Sequence, residues 1–264
     1  MEQKTNLYIS QKGSGRVVVF LHGMASSSRF WAEISNRLST KYRCISLDLL
    51  GFGRSPKPNV KYDYKQHMGA IVAALDKLGI EKFHLVGHSM GALIALRLAA
   101  DNQDRVLSVT CFGMPVFATA KEARSRISKS KTSLRLAYYG RTSRIICAIW
   151  CRLLRPVSKH IAKLYLNRLP RSVAEDSVLH TWTSYKSSME NIIEQQHPID
   201  DMKKLKISYS FIYGLTDSDA LVKDQEKLHA LIMPGGHNGI LKRPNTAIKF
   251  IEKTINGLYN RSTV

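Results

Sequence analysis

The most constraining feature of the sequence is a G-x-S-x-G stretch at residues 87–91, Gly-His-Ser-Met-Gly, between two apolar segments. Residues 83–86 have the composition of a buried strand, and residues 92–100 form an Ala/Leu-rich segment typical of a helix. A strand that turns into a helix through this pentapeptide forces the central serine into a strained backbone conformation. The pattern therefore predicts that the Ser89 hydroxyl is exposed at the end of a strand, beside a helix N-terminus.

Strand-like and helix-like segments alternate over the rest of the first 115 residues. Apolar, β-branched runs predict strands at residues 7–10, 16–21, 42–47 and 106–112, and helical apolar spacing predicts helices at residues 29–40 and 64–78. Alternation at this pitch is typical of a parallel sheet with helices on both faces. The sequence thus predicts an α/β fold with a mostly parallel sheet.

This alternation stops near Pro115 and resumes only at residues 206–213. The intervening residues lack strand signals and are predicted to form several helices, after which a strand near 228–233 and a helix at 246–258 follow. We therefore predict a sheet core made of residues 1–115 and 197–264, and a helical cap at residues 116–196.

A serine nucleophile needs a base, and His237 is the strongest of nine candidate histidines. His237 directly follows the last predicted strand, and Asp217 lies just beyond the strand before it. Because parallel strands end at one edge of a sheet, both side chains are expected to meet Ser89 there. Asp217 would orient the imidazole, and Asp219 is the alternative acid.

Two backbone amides are candidates for an oxyanion hole. Met90 follows the serine at the predicted helix N-terminus, and Met24 lies in the turn after the strand at 16–21. Backbone donors that are fixed before the reaction stabilise the negative charge of a tetrahedral intermediate.

Together, residues 17–24, 48–55, 87–92, 213–217 and 235–237 resemble the successive landmarks of the α/β-hydrolase superfamily, in its lidded serine esterase-like branch. The resemblance implies that the insertion is a lid over an acyl pocket and that Asp48 has a structural role. A serine at position 89 argues against dehalogenases and epoxide hydrolases, which use a carboxylate there. Only twenty positions separate Asp217 from His237, so the helix between them is expected to be short, near residues 222–228.

The resemblance implies a serine hydrolase that cleaves a carboxylic ester or acyl thioester of a small molecule through an acyl-enzyme. No metal and no organic cofactor is expected. Two alternatives remain open on the same fold: a hydrolase of carbon–carbon bonds, and a ligand receptor with slow turnover.

The chain carries a formal net charge of +20, and the predicted cap holds much of it. Residues 121–171 contain 14 Lys and Arg but one acidic residue, Glu122, and residues 144–155 form an apolar segment with basic ends. This composition is typical of a helix at a membrane interface, although packing of its apolar side over the active site would also explain it. We expect an anionic membrane surface or an acidic acyl carrier protein as partner, and we do not expect nucleic acid.

The four cysteines show neither a CxxC pair nor a spacing typical of zinc sites, so we expect reduced thiols. The polar N-terminus lacks a signal-like apolar stretch, and no apolar run is long enough to span a bilayer. The expected location is cytoplasmic, with peripheral membrane contact as an option.

Overall fold

A computed structural model describes residues 6–129, 142–166, 169–217 and 230–258 of the chain. These residues form a seven-stranded sheet in the order β1-β3-β2-β4-β5-β6-β7, in which only the edge strand β1 runs antiparallel to its neighbour. The predicted α/β fold with a mostly parallel sheet is confirmed. The strands are β1 (Ile9–Lys12), β2 (Val17–Leu21), β3 (Arg43–Leu47), β4 (Phe83–His88), β5 (Val106–Phe112), β6 (Ser208–Gly214) and β7 (Leu231–Met233).

Helices cover both faces of the sheet. Their core-domain members are α1 (Ala32–Leu38), α2 (Tyr64–Lys77) and α3 (Met90–Asp101) in the first half, and α10 (Gly239–Lys242) and α11 (Pro244–Ile255) near the end. Because side chains alternate along a strand, Val19 of β2 packs on the α2 and α3 side while Phe20 packs on the α1 and α11 side. The sheet is therefore buried on both faces, as its continuous apolar strands require.

Between β5 and β6 the described residues are helical. This segment contains α4 (Ala120–Lys129), α5 (Ser143–Ala148), a π-helical turn (Ile149–Leu153), α6 (Arg155–Tyr165), α7 (Arg171–Asp176), α8 (Trp182–Ser188), a second π-helical turn (Met189–Ile193) and α9 (Pro198–Lys203). We call residues 116–196 the cap, as in the prediction. No helix in the described parts of the chain is long and apolar enough to cross a membrane.

An ion pair between a buried carboxylate and a partly exposed guanidinium helps to hold the cap on the core. Asp176, the last residue of α7, accepts a hydrogen bond from the Ser27 hydroxyl and two from the guanidinium of Arg29, one of them from Nε at 2.6 Å. Burial opposes ionisation of this carboxyl, but the hydrogen bonds from Arg29 and Ser27 outweigh it and lower the pKa of Asp176. The loop before α1 and the end of α7 are therefore joined by charge-assisted hydrogen bonds.

This pair predicts a pH-dependent contribution to stability. A carboxyl whose pKa is lowered on folding stabilises the fold above its unfolded value near 3.8, and the contribution is lost as the pH falls through the lower folded pKa. We expect Asp176→Asn to lower the free energy of unfolding by about 2 kcal/mol at pH 7. This loss is smaller than that for a fully buried pair, because Arg29 is partly exposed and solvent screens its charge. Urea unfolding should show the difference from the unmodified protein shrinking below pH 4.

The control is Glu33→Gln, which removes an exposed pair with Arg37 on α1. Its effect on the free energy of unfolding should be much smaller, because this pair is exposed and does not join the cap to the core. A loss of stability in Asp176→Asn that stayed constant down to pH 2.5 would contradict the role assigned to the ionised carboxylate.

Candidate active site

Ser89 lies at the turn between β4 and α3 in a conformation that few residues adopt. Its φ is 53° and its ψ is −121°, and its side chain does not cap α3. A Cβ on Gly87 would lie 2.5 Å from the carbonyl oxygen of Gly91, and one on Gly91 would lie 2.4 Å from that of His22. No side chain fits at either glycine, so the predicted strained turn is present and directs Ser89 away from the strand.

His237 and Asp217 come together at the same edge of the sheet. Asp217 follows β6 and His237 follows β7, and Nδ1 of His237 lies 3.1 and 3.0 Å from the two carboxylate oxygens. The Asp217 side chain is only 1% exposed. A buried carboxylate against Nδ1 fixes the ring orientation and leaves Nε2 as the nitrogen for a reacting group. The alternative acid, Asp219, and the short helix expected near 222–228 lie outside the described residues.

Gly113, just beyond β5, explains how the pair fits beside this strand. Its φ is +52°, and a Cβ there would lie 3.2 Å from both Oδ2 of Asp217 and Nδ1 of His237. A side chain at this position would press on the hydrogen bond between them. The end of β5 has no carboxylate of its own. The glycine there instead leaves space for the carboxylate of Asp217, which follows β6.

Ser89 and His237 line one cavity of about 290 Å³ between the core and the cap. Its walls are largely apolar, and Arg126 of α4, which pairs with Glu122 at 3.2 Å, adds a positive charge. The apolar lining residues include Phe30 from the core, and from the cap Phe117, Leu169, Val173, Met189 and Ile193. The cavity is thus suited to an apolar chain whose polar end lies near Ser89.

Both predicted oxyanion donors belong to segments that adjoin Ser89. Met90 is the first residue of α3, where amides have no partner within the helix, and Met24 lines the cavity. A Cβ on Gly23 would lie 3.0 Å from Cβ of Ser89, so only a glycine allows this loop to come so close to the serine.

His22 controls the direction of the Met24 amide. The Leu49 amide donates to its Nε2 at 2.9 Å, so the neutral ring carries its proton on Nδ1, which donates to the Gly23 carbonyl at 2.7 Å. Burial lowers the pKa of His22 and keeps it neutral. In a trans peptide the C=O of Gly23 and the N–H of Met24 point in opposite directions, so holding the carbonyl turns the amide away from His22.

His88 is a candidate positioning residue that the sequence analysis did not identify. Its Nε2 donates to the backbone carbonyl of His237 at 2.9 Å, and its ring stacks on Phe30. Burial, and next the neighbouring His237, lower the pKa of His88 to about 3, so the ring stays neutral. The only sequence signal was that His88 adjoins Ser89 at the sheet edge.

Asp48 has the structural role that the sequence indicated. It is fully buried, and its carboxylate accepts hydrogen bonds from the amides of Ser28 at 2.6 Å and Arg54 at 2.7 Å. A Cβ on Gly53 would lie 2.2 Å from this carboxylate. Asp48 therefore holds two loops at the rim of the site, with one backbone donor on each carboxylate oxygen.

Comparison with known proteins identifies the fold and a group of relatives. A family model described as alpha/beta hydrolase fold matches residues 16–211. A probable lysophospholipase of Arabidopsis thaliana, BODYGUARD 4, is 31% identical over 254 residues, which are 88% of this chain and 57% of that protein. The chain spans about half the length of the curated relatives it matches.

Two further similarities are more distant or more partial. A haloalkane dehalogenase of Mesorhizobium japonicum is 38% identical over 105 residues, 40% of this chain and 34% of that one. The crystal structure of the enol-lactonase from Burkholderia xenovorans LB400 superposes with a TM-score of 0.73 at 19% identity, and covers 96% of this chain and 98% of that one. The structural match supports the fold alone.

The strain at Ser89 can be measured by comparing glycine and alanine at this position. Glycine adopts a positive φ without strain, whereas alanine keeps the strain, which costs about 1–3 kcal/mol. We expect Ser89→Gly to be more stable than Ser89→Ala by about 1 kcal/mol in urea unfolding, after allowing for the greater chain entropy of glycine.

The same pair of substitutions at Ser35, inside α1, provides the control. There, glycine should be less stable than alanine by about 1 kcal/mol, because the backbone is an ordinary helix. The prediction is wrong if glycine is also the less stable substitution at position 89.

Proposed function

The chain belongs to the α/β-hydrolase fold family, and we propose that it is a serine hydrolase that cleaves a carboxylic ester or acyl thioester. One observation carries the proposal: the hydrogen-bonded pair of Asp217 and His237 lies at the same cavity as the strained Ser89. A serine at this position, in place of a carboxylate, distinguishes the proposed chemistry from that of the partly similar dehalogenase.

In the proposed acylation step, Nε2 of His237 takes the proton of Ser89 as Oγ attacks the carbonyl carbon. Asp217 stabilises the imidazolium that forms. The amides of Met24 and Met90 donate to the oxyanion of the tetrahedral intermediate, where a comparable donor is worth roughly 3 kcal/mol of barrier. His237 then protonates the leaving alcohol or thiol, and an acyl-enzyme remains on Ser89.

In deacylation, His237 removes a proton from a water molecule, which attacks the acyl carbon. The same two amides stabilise the second intermediate, and the proton returns to Ser89 as the acid leaves. His22 and His88 act as positioning residues, because they hold the Met24 amide and the His237 backbone. Neither step needs a metal or an organic cofactor.

The proposed substrate is a single-chain acyl ester of an amphiphile. A cavity of about 290 Å³ lies at the lower end of the size range of ligand sites, roughly 300–1,000 Å³, and suits one acyl chain better than two. Arg126 at the cavity wall favours an anionic group on the substrate. The named activity of the BODYGUARD 4 relative, a probable lysophospholipase, supports the same class.

The first experiment is labelling with a fluorophosphonate probe, combined with turnover of p-nitrophenyl esters of graded chain length. We expect one probe molecule to be bound per protein chain. Esters whose acyl group fits the cavity should be hydrolysed faster than the esters with the longest acyl groups. In Ser89→Ala both labelling and turnover should be abolished, because the attacking oxygen is absent. Lysophosphatidylcholine should be cleaved faster than its diacyl counterpart.

Ser26, which lies near the site and lines the same cavity, gives a matched control. Ser26→Ala should still be labelled and active. Folded protein that neither labels nor turns over would overturn the hydrolase proposal and favour the ligand receptor. Cleavage of a diketone without ester hydrolysis would favour the carbon–carbon bond hydrolase.

We further propose that the cap docks on an anionic lipid surface. Nine large apolar side chains of residues 142–166 are exposed, with Leu153 at 75% and Tyr165 at 84%. Soluble proteins rarely expose so many neighbouring apolar side chains without a partner. They are Ile145, Ile146, Ile149, Leu153, Leu154, Val157, Leu164, Tyr165 and Leu166.

The charge of this surface favours a lipid with an anionic headgroup. Residues 142–166 include five Lys and Arg, and the sequence has no acidic residue between Glu122 and Glu175. Each cation near an anionic bilayer is worth about 1 kcal/mol, and the apolar side chains would enter the interface. An acidic carrier protein would need the cations but not the exposed isoleucines and leucines, so the lipid surface is the better fit.

Sedimentation with liposomes tests the docking. The protein should bind vesicles with an anionic lipid more strongly than neutral vesicles, and high salt should weaken the binding. Leu153→Ser with Leu164→Ser should reduce binding about tenfold or more, since both side chains would be buried in the interface. Leu258→Ser, at a leucine of similar exposure (67%) beyond α11, is the matched control.

One further variant separates docking from catalysis. Ser89→Ala should bind vesicles normally, because the nucleophile lies inside the cavity. If Leu153→Ser with Leu164→Ser bound as well as the unmodified protein, lipid docking by this surface would be refuted. Binding that is lost when the Lys and Arg of residues 142–166 are neutralised, but not when the exposed leucines are replaced, would point instead to an acidic protein partner.

A further inference from the structure

Two cysteines and a histidine come together inside the cap, apart from the residues of the proposed triad. Cys147 of α5 and Cys151 of the following π-helical turn are both buried, and His180 lies just before α8. The two sulfur atoms and a ring nitrogen all lie within 4.8 Å of one another. Sγ of Cys151 is 3.5 Å from Nε2 of His180.

The sequence spacing predicted no zinc site, because the four cysteines alone provide no metal-binding pattern. The fold adds the third ligand, 29 residues after Cys151. Two side chains four residues apart project from the same face of a helix, and the segment before α8 brings His180 against that face. The cluster is therefore a product of the tertiary structure.

The distances fit tetrahedral coordination. With zinc–sulfur bonds of about 2.3 Å and zinc–nitrogen bonds of about 2.05 Å, a tetrahedral site places sulfur and nitrogen roughly 3.6 Å apart. The Cys151–His180 distance of 3.5 Å matches this value. The remaining pairs of ligand atoms lie within 4.8 Å of each other, compared with roughly 3.8 Å between two sulfur ligands of a tetrahedral site.

The surroundings of the cluster also favour a ligand. Cys147 and Cys151 pack with Ala162 and Val178 in a small apolar cluster, whereas His180 is half-buried. Its Nε2 faces the Cys151 thiol. Two thiols and an imidazole in one place form a donor set that Zn²⁺ prefers.

We propose that Cys147, Cys151 and His180 bind one zinc ion, with a water molecule as the fourth ligand. Each thiol that coordinates the ion releases its proton to solvent, so two thiolates and one neutral imidazole balance the charge of Zn²⁺. The ion joins α5 and the π-helical turn to the start of α8. This inference does not depend on the proposed hydrolase activity.

The zinc site has structural neighbours on both sides. The ring of His180 lies 5.2 Å from that of Tyr185, which lines the cavity. On the other side, Ile145 and Ile149 of the zinc-bearing segment are exposed. The ion therefore braces the outer cap surface against the wall of the cavity.

Zinc binding is measured on the full chain after reduction and removal of metals by a chelator. After Zn²⁺ is added back, we expect the unmodified protein to retain one Zn²⁺ per chain on desalting, by elemental analysis, and to compete with a chromogenic chelator for the ion. Cys147→Ser, Cys151→Ser and His180→Gln should each weaken binding about tenfold or more. Cys44→Ser and Cys111→Ser, at thiols buried in the sheet, should leave it unchanged.

Cobalt substitution gives a readout that does not depend on how well the variants fold. The unmodified protein with Co²⁺ should show the absorption of tetrahedral thiolate coordination. Added Zn²⁺ should displace the Co²⁺ and abolish this absorption, and it should raise the Tm of the metal-free protein. Less than stoichiometric binding by the reduced, unmodified protein would overturn the proposal. Equal binding by folded His180→Gln, or a disulfide between Cys147 and Cys151 in place of metal binding, would overturn it as well.

Discussion

The close contact between the end of β2 and the first turn of α3 is the constraint on which the site depends. A Cβ on Gly91 would lie 2.5 Å from the carbonyl oxygen of Leu21, so the two backbones touch where no side chain fits. This contact places the loop that contains Met24 beside Ser89 and keeps Ser89 in its strained conformation. The candidate nucleophile and one candidate oxyanion donor are therefore positioned by the same packing of backbone on backbone, before any substrate binds.

Two buried, neutral histidines extend this arrangement to the other loops of the site. His22 links the loop after β2 to Leu49, the second residue after β3, and His88 links the serine turn to the loop that contains His237. Burial lowers the pKa of both rings, because a charged imidazole would lose its hydration. A neutral ring also has one donor and one acceptor, whereas a protonated ring would lose the acceptor that the Leu49 amide requires.

The sequence predicted those parts of the site that follow from the order of strands. Ser89, Asp217 and His237 each follow a parallel strand, so the topology alone brings them to one edge. The sequence did not predict the partners of His88 and Asp176, which lie 149 and 147–149 residues away, because no local pattern encodes such contacts. β1 also begins two residues later than predicted, since pairing with β3 sets the register of a short edge strand.

The cap helix α5 with its π-helical turn has apolar side chains on both sides. Packing within the folded chain buries only one of these two sides. Cys147 and Cys151 face the interior, whereas Ile145, Ile149 and Leu153 face outward with exposures of 60%, 42% and 75%. A helix that is apolar all round is ordinarily buried on all sides. The docking that we propose would cover this outer face with a partner that is apolar at its centre and anionic at its edge, and a lipid interface has both properties. A metal-bound inner face would keep this segment attached to the cap when the outer face enters the interface.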